Sequence, residues 1–279
     1  MSRLVVVGSL NLDLVLECER IPVPGETVLA SGFRQIPGGK GANQAYAAAR
    51  LTSVPVAMVG RVGSDSFGAA LRQNLAQVGV NTRDVLTVDE APTGIAIITV
   101  DRGGQNSIVV SSGANFVWNQ IDDVFAGASF VLFQLETPLE AVTTMAGMAK
   151  AHGAFTILDP APARPLPQQL LDSIDLLTPN ESEAAALGLA PDEKVLIKQG
   201  ASGSTWGELH VPTIPVEAMD TTAAGDTYNA ALAVALCEGE SRLAAMQFAT
   251  IAAGLSVTRI GAQTSAPTRA EVESYRLKR

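Results

Sequence analysis

Short apolar runs alternate along this chain with alanine-rich stretches of helical spacing, and that alternation most narrows the folds open to it. Arg3 to Val7, Val56 to Val59, Phe130 to Leu135, Phe155 to Leu158, Ile174 to Leu177 and Val195 to Lys198 read as strands. Gly41 to Leu51, Phe67 to Val78, Leu139 to His152, Glu181 to Leu187 and residues 228–236 read as helices. Thr137-Pro138-Leu139-Glu140 has the form of a capping box with proline at the first helical position. Strand and helix in alternation imply a parallel sheet with crossover helices on its faces. At 279 residues with 47% hydrophobic side chains, the chain can fill one large α/β core.

Open parallel sheets bind ligands beyond the carboxyl ends of their strands. Asn11, Asp13, Glu136, Asp159, Asn180, Gly200 and Asp226 all fall at such ends. Two segments break the pattern. Leu12, Leu14, Leu16 and Cys18 alternate with Asp13, Glu17 and Glu19, and Ile95 to Val100 and Asn106 to Ser111 flank the turn Asp101-Arg102-Gly103-Gly104. They read as antiparallel strands, either a small lid over the strand ends or an edge hairpin packed on the main domain.

Two clusters carry the chemistry. In Asp220-Thr221-Thr222-Ala223-Ala224-Gly225-Asp226, Ala223 to Asp226 should form the first turn of a helix, where backbone N–H groups lack intrahelical partners. Small side chains at Ala223, Ala224 and Gly225 let an anion approach that turn, and the helix dipole favours it. Asp226 is then either a helix-start carboxylate or a general base beside bound phosphate. In Pro37-Gly38-Gly39-Lys40-Gly41-Ala42-Asn43-Gln44, glycines again lead into a helix. It is not a P-loop, because Gly41 and Arg34 stand where Ser or Thr and a glycine would be required. Taken alone, Lys40 and Asp13 could be solvated and Asn43 could be a helix cap.

Taken together, the clusters resemble the paired signatures of the ribokinase-like (PfkB) carbohydrate kinases. Other shared strings follow in family order: Gly8-Ser9-Leu10-Asn11-Leu12-Asp13, Pro24-Gly25-Glu26-Thr27, Gln134-Leu135-Glu136-Thr137-Pro138, Asp159-Pro160-Ala161-Pro162-Ala163, Thr178-Pro179-Asn180-Glu181-Ser182-Glu183 and Arg259-Ile260-Gly261-Ala262. The resemblance covers nearly the whole chain. It implies a three-layer α/β/α domain over residues 1–279, with lid strands inserted at about 12–37 and 93–112. It further implies a phosphotransferase that moves the γ-phosphate of ATP to O5 of D-ribose. Sugar hydroxyls would meet Asn11, Asp13, Gly39, Lys40, Asn43 and Glu136. Asp226 would be the base, with the N–H groups of Ala223, Ala224, Gly225 and Asp226 stabilising the transferring phosphoryl.

By the same resemblance, Asn180 and Glu183 organise Mg²⁺ and phosphate through water, and Gly200, Ser202, Gly203, Gly225 and Thr250 face the nucleotide. A monovalent cation, K⁺, would be held by Asp220 with oxygens of Thr222, Ser256, Arg259, Gly261 and Ser265; alternatively, Asp220 pairs with a cation such as Arg259. The lid implies a homodimer. The chain departs from the family between Ala184 and Lys198, where there is room for only one short helix, and at Lys198, which replaces a small hydroxyl residue and either reaches an ATP phosphate or is solvated.

Composition removes other classes. Lys plus Arg total 19 and Asp plus Glu 28, for a formal charge of −9, so nucleic acid is not an expected partner. Cys18 and Cys237 are widely separated and lack metal-ligand spacing, which suits a reducing cytoplasm. No basic leader with an apolar core and no long apolar run stands in the sequence, so neither export nor a membrane span is expected. Two readings compete: a related kinase for 2-deoxyribose, fructose or a nucleoside, and a non-catalytic sugar-binding sensor suggested by the shortened connection.

Overall fold

The run from Leu4 to Val7 has no polar side chain to turn toward water, and both of its faces are covered. Leu4 and Val6 join one apolar cluster, while Val5 and Val7 join another. This strand is the centre of the computed structural model, which describes residues 3–277. In chain order the first half contains β1 (Leu4–Val7), β2 (Asn11–Glu17), β3 (Gly32–Gly38), α1 (Lys40–Leu51), β4 (Val56–Gly63), α2 (Ser66–Gln77), β5 (Val85–Val88), β6 (Gly94–Val100) and β7 (Asn106–Ser111). Then come β8 (Phe130–Phe133), α3 (Leu139–Ala151), β9 (Phe155–Leu158), α4 (Gln168–Asp172), β10 (Leu176–Leu177), α5 (Glu181–Leu187) and β11 (Leu196–Lys198). The chain closes with β12 (Ser204–Trp206), β13 (Leu209–Val211), α6 (Ala224–Cys237), α7 (Arg242–Ser256) and α8 (Arg269–Arg276).

The main sheet has the order β10-β9-β8-β1-β4-β5, with every pairing parallel. Chain order runs outward from β1 through β4 to β5, then returns to β8 on the other side of β1. The switch point therefore lies between β1 and β8, where the strand ends open a crevice. Helices α1, α6 and α7 supply the Leu4 side of the core, and α3 and α4 the Val5 side.

A second sheet, β3-β2-β6-β7, stands apart from the first. Its β2–β3 and β6–β7 pairings are antiparallel as the alternation suggests, while β2 and β6, drawn from different parts of the chain, meet in parallel. The third sheet, β11-β12-β13, is antiparallel and was not foreseen. Strand β11 still serves the crossover, because parallel bridges join Leu177 to Val195 and Asn180 to Lys198. The short connection therefore completes the turn with α5 alone, closed by Gly188 in the left-handed region at φ 65°.

Two local expectations need correction. Helix α3 begins at Leu139 with Pro138 as its N-cap and no side-chain cap, so the capping box does not form. The helix starts one residue later than that motif requires, which puts Glu140 at the second helical position instead of the third. Ala223, expected inside the first turn of α6, is its N-cap, held at φ 57°. Asp226 consequently occupies the third helical position.

The lost capping box leaves the buried Thr137 hydroxyl without a hydrogen-bond partner. Thr137→Val should therefore raise stability by about 1 kcal/mol, since an unpaired buried hydroxyl is exchanged for a methyl of the same shape. Urea denaturation tests this, and a loss of more than about 1 kcal/mol would contradict it.

Candidate active site

The crevice at the switch point is built by close approaches at two adjacent glycines. Gly39, at φ 87°, takes a conformation that side chains resist, and a Cβ there would lie 2.7 Å from the amide nitrogen of Asn11. Gly38 has no room either, because the Asp13 carboxylate covers it and would lie 2.4 Å from an added Cβ. The glycine turn is thereby pressed against the segment that follows β1, and α1 starts inside the crevice. Glu136, just beyond β8, accepts the N–H of Lys40 at 3.0 Å and also the hydroxyl of Ser9. A carboxylate at a helix start is favoured by the exposed N–H groups and the dipole.

Asn11 is held from a direction that the motifs do not announce. Asn115, 1% exposed, donates to Asn11 Oδ1 at 2.8 Å and exchanges hydrogen bonds with both backbone groups of Leu10. Its signal in the sequence is only Gly113-Ala114-Asn115, which looks like a turn. Asp13 on β2 faces the same space. Burial and the nearby Glu136 carboxylate raise its pKa to about 7.

Asp226 closes the crevice. Its carboxylate, 5% exposed, accepts from Asn43 Nδ2 at 3.0 Å and from Gln44 Nε2 at 3.1 Å, across 183 and 182 residues of chain. Burial pushes its pKa up and the Asp159 carboxylate adds to this, while Lys40 and the two amide donors pull it down. Lys40 is correspondingly held in its charged form, first by Asp226 and then by Asp159, Glu136 and Glu183. Gln44 also reaches Asp159 at 3.4 Å and accepts from Gln134 at 2.7 Å, so the base of the crevice is a continuous polar network.

On the other side of the α6 N-terminus lies a cleft of about 300 Å³. Lys198, Gly200, Gly203, Gly225 and Thr250 line it, and its largely apolar walls come from Ile214, Val216, Tyr228 and Val257. Of the other residues expected to face a nucleotide, Ser202 is outside this lining, and Asn180 and Glu183 are committed to each other in a capping box at the start of α5. Sequence reading missed the apolar walls because the loop at 213–218 carries no motif. Lys198 is not solvated: its ammonium, on a side chain 13% exposed at the edge of the cleft, pairs with Asp159 at 3.0 Å.

The Asp220 turn gathers two loops. Its carboxylate accepts the N–H of Thr222 at 2.9 Å and of Gly261 at 2.8 Å. Arg259 is turned to Glu271, which removes the alternative of an Asp220–Arg259 pair. The Ser256 and Ser265 hydroxyls both donate to nearby backbone carbonyls. Among the described residues no cluster of three or more His, Cys, Asp or Glu side chains could hold a metal.

Residues 1–269 match the family described as pfkB family carbohydrate kinase. The chain belongs to that family. It is 44% identical to a ribokinase of Bacillus subtilis, over 98% of this chain and 99% of that protein. It is also 34% identical to a deoxyribokinase of Salmonella typhi, over 97% of both. The solved ribokinase of Arabidopsis thaliana complexed with ribose and ATP superposes with a TM-score of 0.91 at 38% identity, over 98% of each chain. The residues matched by the family take in all three sheets described above.

An acid with a raised pKa is protonated in the folded state where it would already be ionised in the unfolded chain. For Asp13, stability should therefore fall as pH rises from about 4 to about 7, and the deficit should be complete above 7. Asp13→Asn should remove it, stabilising the ligand-free protein by up to about 4 kcal/mol at pH 8 and by little at pH 4. Thermal melts across pH check this; a difference between the two proteins that does not change with pH would contradict it.

Proposed function

We propose that this chain is an ATP-dependent kinase that phosphorylates D-ribose at O5, giving ribose 5-phosphate. The observation that carries the reading is the position of Asp226, whose carboxylate is bonded to Asn43 on the crevice side while the preceding Gly225 lines the cleft. In this reading Asn11, Asp13, Gly39, Lys40, Asn43 and Glu136 hold the sugar, and ATP occupies the cleft past Lys198, Gly200, Gly203 and Thr250. Asp226 takes the proton from the O5 hydroxyl as that oxygen attacks the γ-phosphorus. The N–H groups at the start of α6, from Ala223 to Asp226, face charge developing on the phosphoryl oxygens. Lys40 opposes the rise that burial imposes on the Asp226 pKa and adds positive charge beside it.

Mg²⁺ supplies charge neutralisation at the ATP phosphates when bound. Asn180 and Glu183 would act on it through water, with the capping box fixing both side chains at the start of α5. A monovalent cation, K⁺, would be held at the Asp220 turn by that carboxylate with oxygens of Thr222, Ser256, Arg259, Gly261 and Ser265. It would steady the loops on which the α6 N-terminus rests.

The whole chain acts as one catalytic domain, and the β3-β2-β6-β7 sheet is its lid, closing on bound sugar to keep water from the γ-phosphate. Phe33, Ile97, Ile108, Val109 and Val110 are 42–65% exposed on that sheet, and β3 and β7 are open edges. A second copy of the chain is the proposed cover. No helix among the described residues is long and apolar enough to cross a membrane, and the ATP requirement suits the cytoplasm. The competing substrate is 2-deoxyribose, favoured by the likeness to a deoxyribokinase.

An ADP-release assay with MgATP, K⁺ and a panel of pentoses and hexoses tests the reading. Ribose should give the highest kcat/KM, exchange of K⁺ for Na⁺ should lower turnover, and Asp226→Asn should lower kcat by about a thousandfold while leaving the Kd for ribose within a few-fold. Preference for another sugar would overturn the substrate, and an active Asp226→Asn enzyme would overturn the mechanism.

A further inference from the structure

A relay of three side-chain amides ends on Asp226, and two of its members lie outside every motif read from the sequence. Asn74 on α2 donates to Gln263 Oε1 at 2.6 Å, Gln263 donates to Asn43 Oδ1 at 3.2 Å, and Asn43 donates to Asp226 Oδ2 at 3.0 Å. Gln263 is 3% exposed and Asn43 9%, so water has little access to compete for these bonds. The loop that carries Gln263 is pinned from both sides: Gly261 donates to Asp220, and Arg50 of α1 donates to the carbonyl of Ala266.

An amide has one end that donates and one that accepts, whereas an ionised carboxylate only accepts. The charge on Asp226 therefore turns the NH₂ of Asn43 toward itself. That leaves the Asn43 carbonyl toward Gln263, which must answer with its own NH₂ and offer its carbonyl to Asn74. The direction of every bond follows from the first. In the opposite sense, Gln263 determines which end of Asn43 meets the base.

We propose that Gln263 is a positioning residue that locks the Asn43 amide in the orientation that donates to Asp226 and leaves its second N–H for a sugar hydroxyl. The proposal rests on the reading of Asp226 as base and Asn43 as sugar contact. Without the lock, a flipped Asn43 would bring its carbonyl oxygen against the carboxylate and displace both the base and the sugar.

The decisive comparison is Gln263→Glu against Gln263→Met, with Asp226→Asn alongside, assayed with ribose and MgATP from pH 6 to 8. Methionine fills similar space and merely fails to donate. Ionised glutamate accepts only, and so demands the NH₂ of Asn43 for itself. At pH 8 Gln263→Glu should lower kcat/KM by about a hundredfold and Gln263→Met by about fivefold. Once protonated, the introduced carboxyl has an O–H for Asn43 and a carbonyl for Asn74, copying glutamine. The ratio of Gln263→Glu to the unsubstituted enzyme should therefore recover about tenfold by pH 6.

Equal losses in the two variants, or a ratio that does not change with pH, would overturn the proposal. If Gln263→Glu does not fold, as judged by melting, the half-buried outer end decides. Asn74→Asp should then impair turnover by the same reversal while Asn74→Ala does little, and equal activities of those two would overturn it. An active Asp226→Asn enzyme would instead overturn the base assignment, so the two failures are separable.

Discussion

Everything in this structure that bears on chemistry is arranged around one expensive object, a carboxylate held out of water at Asp226. Burying an unpaired charge is prohibitive, and a carboxylate left to itself would simply take up a proton. Here the charge is met by two amide donors from α1, by the ammonium of Lys40 and by the N-terminus of its own helix. Those partners come from opposite ends of the chain. The fold must therefore be complete before the site exists, and the site in turn ties α1 to α6.

The switch in strand order provides the space. Because β1 and β8 are parallel neighbours, the segments that leave them bring Ser9 and Glu136 together to receive the start of α1. The close packing at Gly38 and Gly39 then brings Asp13 and Asn11 to the same crevice. On the far side of the α6 N-terminus the requirement is different: the cleft is mostly apolar, with polar groups concentrated near Lys198 and Gly225. A flat aromatic base with a phosphate tail suits such a division. The Lys198–Asp159 pair sits at the boundary, where the ammonium partly offsets the like charge that Asp159 presents to Asp226.

Much of the fold was legible because burial on both faces leaves a plain record. The runs at Leu4, Val56 and Phe130 are apolar without interruption, that at Phe155 is broken only by Thr156, and they form the heart of the main sheet. What escaped was structure whose cause is tertiary. Strands β12 and β13 are three residues each and carry no periodicity. Thr137 and Glu140 have the right spacing for a cap, yet the extended backbone of Pro138 shifts the helix start. Within the site, residues in glycine-rich strings announced themselves. Asn115 and Gln263 did not, because an amide in a turn looks the same whether it faces water or another amide, and only the folded chain shows which.

The most direct measurement is the pH dependence of kcat at saturating ribose and MgATP, for the enzyme and for Lys40→Met. If a buried Asp226 is the base, the acid limb should report one ionisation above the ordinary aspartate range of about 4, and loss of Lys40 should move it higher still. An acid limb near 4, or one that Lys40→Met leaves in place, would contradict the account.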